Sequence, residues 1–290
     1  MMAHSARHLR RQRKAFIAGL GRHSFGMAVA ALFLAPLAWS VLVSFKQPSE
    51  ARQPPLPPWP VEGATLDNYL MLDGFGAGIA THAGNSLVVA LGTVVISVLV
   101  SLLAGYGFSR FTFPFKNTLF VLIIMSIMVP FQSILTPLFL ILSWLKLQNS
   151  LLGLILVYVT LQLPFSVFMM RNAFDAVPRE IEEAARVDGA SVFLVLGKVM
   201  LPLVFPGVVT VAIFAFLNSW NEFLAALIFM TDQDQYTLPI LMTAVASGQF
   251  GTINWGAIQS GVTVMMLPCL VLFLLLQRYY VRGLTAGAVK

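Results

Sequence analysis

Asn218, Ser219, Trp220, Asn221 and Glu222 follow one another inside a run otherwise suited to lipid. A carboxylate at membrane depth is costly and has to face the interior of a helix bundle or water. At about 100° per residue, Asn218, Asn221 and Glu222 share one helix face. Amides and a carboxylate each satisfy several hydrogen bonds, which suits a hydroxyl-rich ligand. An indole ring suits the C–H face of a sugar. The same groups also stitch helices together, so the residues leave two uses open: lining a translocation pathway, or packing. Gln132 and Gln162 are weaker candidates of the same kind. A third use is chemical: Glu222 as the proton or sodium group of an ion-coupled carrier.

A second polar stretch, "EIEEAARVDGAS" at 180–191, places five ionisable side chains between Glu180 and Asp188. Pro178 suits a first helical turn. Glu180, Glu182 and Glu183 lie near the positive end of the helix dipole and Arg186 near its other end. Gly189 can stop the helix in a left-handed conformation, and Ser191 can cap the next one. The spacing therefore predicts a short helix of about three turns. Ile181, Ala184, Ala185 and Asp188 share a side. Alanines permit close backbone approach, and a lipid-surface helix would instead want bulky apolar and basic residues. Both a docking knob for a protein groove and a solvated loop helix fit.

Other chemistry is not encoded. A phosphate loop needs G-x-x-x-x-G-K-[ST]. Gly197-Lys198 comes nearest, but positions 192 and 199 are both valine. His4, His8, His23 and His82 read as terminal or loop residues without zinc-like support. We expect no catalytic residue, no metal site and no cofactor in this chain. The single cysteine, Cys269, excludes an intrachain disulfide.

The elements that must carry these residues are membrane spans. Of 290 residues, 58% are hydrophobic and 10% charged, and the mean hydropathy is +0.83. A soluble domain keeps about a quarter of its residues charged. Crossing the hydrocarbon core takes about 20 apolar residues, and six stretches qualify: 26–45, 85–108, about 117–144, 150–170, about 200–230 and 258–280. Prolines interrupt several of them, which predicts a packed bundle that bends. The first apolar run is long and lacks a small-residue cleavage site, so it reads as a retained span.

If the spans alternate, Lys and Arg fall on one side. That side holds Arg7, Arg10, Arg11, Arg13, Lys14 and Arg22, then Arg110 and Lys116, then Arg171, Arg179, Arg186 and Lys198, then Arg278, Arg282 and Lys290. The other side has Lys46, Arg52 and Lys146. The rich side is cytoplasmic by the positive-inside bias, which puts both termini and "EIEEAARVDGAS" there. The net charge of +6 is too small to suggest nucleic acid, and the tail "RHLRRQRK" suits anionic lipid headgroups. The expected organisation is a basic tail over 1–24, a first span over 25–45 and an outer loop over 46–84. A five-span core over 85–282 then contains the segment 178–198, and a tail over 283–290 ends the chain. The fold class is all-α membrane protein.

"EAARVDGASVFLVLGKVMLP" resembles the EAA signature of ABC-importer permeases. Glu183-Ala184-Ala185, Gly189, Val199 and Leu201-Pro202 fit its spacing without a gap. "NSLVVALGTVVISVLVSLLAGYGFSRFTFPFKN", "SWNEFLAALIF" and "RYYVRGLTAGAVK" resemble one branch, the MalG-like carbohydrate permeases. The resemblance implies the ABC type I importer permease fold and a coupling helix carrying Glu182, Glu183, Ala184, Ala185, Asp188 and Gly189. It implies two partner ATPase subunits that bind ATP and Mg, a second MalF-like permease subunit and an extracytoplasmic sugar-binding protein. It also implies that an outer loop containing Gly248, Gln249, Phe250 and Gly251 contacts that binding protein. Asn218, Trp220, Asn221, Glu222 and Gln132 are then the pathway candidates. Members of the family carry disaccharides, oligosaccharides, amino-sugar conjugates and glycerol phosphate esters. Phosphate esters would favour fixed cations along the route, and the spans hold none apart from Arg278 at the end of the last one, which favours a neutral sugar.

Overall fold

The structure is a computed structural model that describes the backbone of residues 2–51 and 56–286, with side chains over 21, 23–51 and 56–276. The cations of the tail over 1–24, Arg52, part of the proline-rich stretch and the tail over 283–290 therefore lie outside the described side chains. Among the described residues every regular element is helical. Five helices are long and apolar enough to cross a membrane: His23–Ser44 within α1 (Met2–Ser44), α3 (Ile79–Arg110), α6 (Leu151–Asp175), Val192–Asn221 and the Trp255–Leu276 part of α12 (Trp255–Ala286). The third expected span, about 117–144, is a broken one. Lys116–Met128, which is α4 (Lys116–Met125) plus a 3-10 turn, and α5 (Phe131–Trp144) meet at an angle of 105°.

Pro130 is the reason for that break. It forces Val129 into an extended conformation and supplies no N–H to the turn behind it. The prolines Pro164, Pro206 and Pro268 lie inside continuous helices instead. The broken pair still crosses the bundle. At its start, Phe120 packs 5.6 Å from Phe108 near the end of α3, and the Arg171 guanidinium lies 3.9 Å over its ring near the end of α6. At its far end, Leu142 and Leu147 pack with Leu154 at the beginning of α6. The pair thus runs the length of α6 in the opposite direction, as a span does and a re-entrant loop does not.

The fifth expected span also differs. Val192–Leu194 (α8), a π-helical stretch at Val195–Met200 and α9 (Leu201–Asn221) form one continuous helix. It begins earlier than the apolar pattern indicates and ends at Glu222, ahead of α10 (Leu224–Phe229).

The chain divides into two compact units, 1–72 with 252–264 and 73–251 with 265–290. In the first, the apolar face of α1 is exposed along residues 25–34. Its end is tied to α2 (Asp67–Asp73): Asn68 donates to the carbonyls of Ser44 at 3.0 Å and Lys46 at 2.7 Å.

In the second unit, α3, α6 and α9 form the core. One buried cluster gathers Val89, Leu154, Tyr158, Phe229 and Ile240. Another gathers Tyr106, Met170, Phe174, Met200 and Val204 at the opposite end. Glycines let the helices approach: a Cβ on Gly105 would lie 2.6 Å from Met170 Cβ, and one on Gly207 2.7 Å from Ala173 Cβ. Beyond the Phe229 end, the segment before α11 (Leu238–Ala246) is pinned to α3. Asn85 donates to the carbonyls of Asp234 and Tyr236, and Leu238 N–H donates to Ser86. His82, expected in a loop, belongs to α3 and is buried with Nδ1 3.0 Å from the Tyr236 carbonyl.

Candidate functional site

The stretch at 180–191 folds as its sequence indicates. Pro178 precedes α7 (Arg179–Val187), Gly189 stands at φ +85°, and the Ser191 side chain accepts from Leu194 N–H at 3.4 Å. The helix has two unlike faces. Inward, Glu182 is buried, and one carboxylate oxygen accepts from Tyr106 Oη at 2.7 Å and Arg186 at 2.6 Å. Arg110 Nε lies 3.0 Å from the other oxygen, an ion pair without hydrogen-bond alignment. Arg110 also donates to the carbonyls of Phe174 at 2.9 Å and Val177 at 2.7 Å, where α6 ends. Phe174 lies in the last turn of α6, where carbonyls lack the donor of a continuing helix, and its carbonyl also accepts from Val177 N–H at 3.0 Å. One guanidinium therefore joins α3, the end of α6 and α7. Ser109 adds a 2.6 Å bond to Asp175. Tyr106 first, and then the charge of Glu182, push the Arg186 pKa above its ordinary value.

Outward, Glu183, Ala184, Asp188 and Gly189 are exposed, while Ala185 is half-buried against the inner cluster. The expected shared face of Ile181, Ala184, Ala185 and Asp188 is thus divided, with Ala185 turned inward. Two exposed apolar side chains join the outer face, Val187 at 88% and Phe193 at 82% exposure. Sequence reasoning missed both, because each continues an apolar pattern that looks like ordinary packing. It counted Arg110 only as a topology charge and did not single out Tyr106. The signal available was an arginine and a tyrosine four residues apart at the end of a span.

The polar set at the end of α9 separates. Trp220 is buried, stacked on Phe216 with centroids 5.7 Å apart, and Nε1 donates to the Met265 carbonyl at 3.1 Å. Asn221 is exposed and donates to the Leu217 carbonyl of its own helix at 2.8 Å. Glu222 bridges the break: it accepts from Tyr158 Oη at 2.6 Å, from Ala225 N–H at 2.9 Å and from Ala226 N–H at 3.2 Å. Its carboxylate serves as the cap of α10, an anion at a helix N-terminus. Asn218 donates to Gln162 Oε1 at 3.0 Å, and Gln162 donates to Ser166 at 3.2 Å.

Asn218, Thr160 and Gln162 face a cleft of about 580 Å³ with Ser126, Ile127, Val129 and Phe131 of the broken span. Gln132 is exposed at the start of α5, beside the cleft-lining Phe131 but outside the lining itself. Irregular backbone at membrane depth is tolerated only where protein buries it or water fills a cavity. The exposed residues 126–130 therefore need either water or another protein surface over them.

The loop after α11 is a structured turn. Gly248 and Gly251 take φ of +74° and +120°, and Phe250 stacks on Phe75 with centroids 4.9 Å apart. Gln249, Phe250 and Gly251 are exposed and Gly248 half-buried.

Up to six apolar crossings, with a braced helix between two of them, define a multi-span membrane protein. Residues 97–286 match the family described as "Binding-protein-dependent transport system inner membrane component", and the chain belongs to that family. Two relatives match along most of their length. The arabinooligosaccharides transport system permease protein AraQ of Bacillus subtilis (strain 168) is 34% identical, over 92% of this chain and 94% of its own. The sulfoquinovosyl glycerol transport system permease protein SmoH of Agrobacterium fabrum is 35% identical, over 89% of each chain. The fold matches that of a bacterial ABC transporter involved in the import of the acidic polysaccharide alginate, at a TM-score of 0.75 and 19% identity, over 91% of this chain and 96% of that one. The chain is thus a permease component of a binding-protein-dependent importer. Family membership displaces the ion-coupled carrier as an alternative, in keeping with a Glu222 carboxylate already spent on a helix cap.

Proposed function

We propose that this chain forms half of the translocation pathway of an ATP-driven carbohydrate importer and takes its driving force through α7. The observation that carries the coupling role is the bracing of α7. Its inner face is fixed by Glu182 to Tyr106 and Arg110, so a push on its outer face reaches α3 and α6 without a soft joint. Glu183, Ala184, Val187, Asp188 and Phe193 form the surface that enters a groove of the ATPase subunit. ATP and Mg reside on two such subunits, and this chain supplies no cofactor site of its own. A second permease subunit completes the pathway, and an extracytoplasmic sugar-binding protein delivers the solute. The turn at Gly248, Gln249, Phe250 and Gly251 is its contact.

The distribution of Lys and Arg supports a cytoplasmic α7 and cytoplasmic termini in a prokaryotic cell membrane. ATP binding draws the docked helices together, and the spans switch from inward-facing to outward-facing as rigid elements. The carbohydrate class rests on relatives whose names specify sugars or sugar derivatives. The test is the reconstituted complex carrying Gly189→Val. A β-branched side chain at φ +85° disturbs the end of α7, so the complex should assemble but lose sugar-stimulated ATP hydrolysis. Full stimulation in that variant would overturn the coupling role of α7.

A further inference from the structure

We infer that this chain itself holds a sugar subsite, built on Asn218 at the break of the α4–α5 span, and that the subsite takes an uncharged saccharide. The inference rests on the importer reading above and deepens it, because a pathway can pass a solute without binding it. Three observations point to binding.

First, Asn218 is held ready. Gln162 is buried, and it fixes the Asn218 amide from behind through its own carbonyl while donating to Ser166. That leaves the carbonyl and a second amide hydrogen of Asn218, which lines the cleft, as one acceptor and one donor for a hydroxyl pair. Locking one amide with another removes most of the side-chain entropy that binding would otherwise cost.

Second, the walls have the two textures a pyranose or furanose ring presents. Thr160 and Asn218 supply polar edges, and Phe131, Phe165 and Phe214 supply apolar faces. Phe165 and Phe214 brace each other with centroids 4.9 Å apart. A cleft of about 580 Å³ lies within the range of small-molecule sites, roughly 300–1,000 Å³.

Third, the lining carries no Asp, Glu, Lys or Arg. The nearby Glu222 is consumed by Tyr158 and the backbone of α10. An anionic sugar entering this cleft would lose hydration with no cation from this chain to compensate. Selectivity for uncharged rings follows from that cost.

The test uses the whole complex in proteoliposomes with its binding protein. The probes are maltotriose, arabinotriose, diacetylchitobiose, sulfoquinovosyl glycerol and an alginate trisaccharide. The wild-type complex should move an uncharged probe. Asn218→Ala should then lower maximal uptake of that probe, and sugar moved per ATP, by about tenfold, the effect of one or two lost hydrogen bonds. Asn218→Gln, which keeps the amide, should recover part of the loss, a rescue that a packing defect would not show. Thr160→Val should lower both quantities to a smaller extent.

Uptake and stoichiometry within about twofold of wild type in both Asn218→Ala and Thr160→Val would overturn the subsite and leave the importer reading intact. Uptake of the sulfonated or alginate probe alone would overturn its neutrality. Uptake of none of the five would overturn the carbohydrate reading, and the subsite with it.

Discussion

Arg110 Nε lies 3.0 Å from Glu182 Oε2, with the arginine side chain 5% and the glutamate side chain 7% exposed. Removing one partner of a buried pair leaves the other uncompensated, at a cost of about 3–5 kcal/mol. Arg110 keeps two carbonyl acceptors, Phe174 in α6 and Val177 just beyond it, so Glu182→Ala should fall at the lower end of that range. Tyr106→Phe removes one charge-assisted hydrogen bond, worth about 1.5–3 kcal/mol. Both variants should lower the melting temperature of the complex, Glu182→Ala by more. If α7 is a lever, both should also raise the ATP hydrolysed per sugar moved. A lowered melting temperature with wild-type coupling would reduce the network to a purely structural one.

Gly189 is a different kind of control, because its constraint is backbone conformation and not space. It stands at φ +85°, with no atom within 4 Å of where a Cβ would be. A left-handed conformation costs an ordinary residue about 1–2 kcal/mol, and asparagine tolerates it several-fold better than most. Sugar-stimulated ATP hydrolysis should therefore fall in the order glycine, Gly189→Asn, Gly189→Ala, Gly189→Val. An order that followed side-chain volume alone, with alanine above asparagine, would locate the constraint in a partner's groove.

The local chemistry of α7 was legible in the sequence because capping is short-ranged: Pro178, Gly189 and Ser191 each act within a few residues. The number of crossings was legible because hydrocarbon thickness fixes span length. The direction of each α7 face was not. Glu182, Glu183, Ala184 and Ala185 look alike along the chain, and only the packing of α3 and α6 decides that Glu182 and Ala185 turn inward. The polar set at the end of α9 was equally ambiguous for the same reason. Glu222 becomes a cap because the chain breaks there, and its carboxylate is also held by Tyr158, 64 residues away. Pro130 and Pro164 read as equivalent interruptions, yet only the first breaks its helix.

The close crossing of α3 and α6 rests on Gly105 more than on Gly92. A Cβ on Gly105 would meet Met170 Cβ at 2.6 Å and the Arg171 backbone nitrogen at 2.9 Å, neither of which can turn away. At Gly92 it would meet only the Ile155 side chain, with Cδ1 nearest at 2.6 Å, and that terminus can change rotamer. Overpacking costs about 1–3 kcal/mol, whereas Gly→Ala in a helix gains up to about 1 kcal/mol of propensity. Gly105→Ala should then lower the melting temperature clearly, while Gly92→Ala stays near wild type. Equal losses at the two sites would mean that the helices separate along their whole length and do not pivot about one contact.

Glu222 separates packing from transport chemistry. Its Oε2 accepts from Tyr158 Oη, Ala225 N–H and Ala226 N–H, and its Oε1 accepts a second contact from Ala225 N–H. Glu222→Gln can keep the three contacts of Oε2 through its carbonyl while removing the charge, and should lose only about 1–2 kcal/mol. Glu222→Ala forfeits every contact, uncaps α10 and should lower the melting temperature further. With the carboxylate acting as a cap, ATP-driven uptake in Glu222→Gln should remain within about threefold of wild type, and a proton gradient without ATP should drive none in either protein. Loss of uptake in Glu222→Gln at an unchanged melting temperature would require the charge itself in the transport cycle. The capping geometry would then be one state of a group that has to leave it.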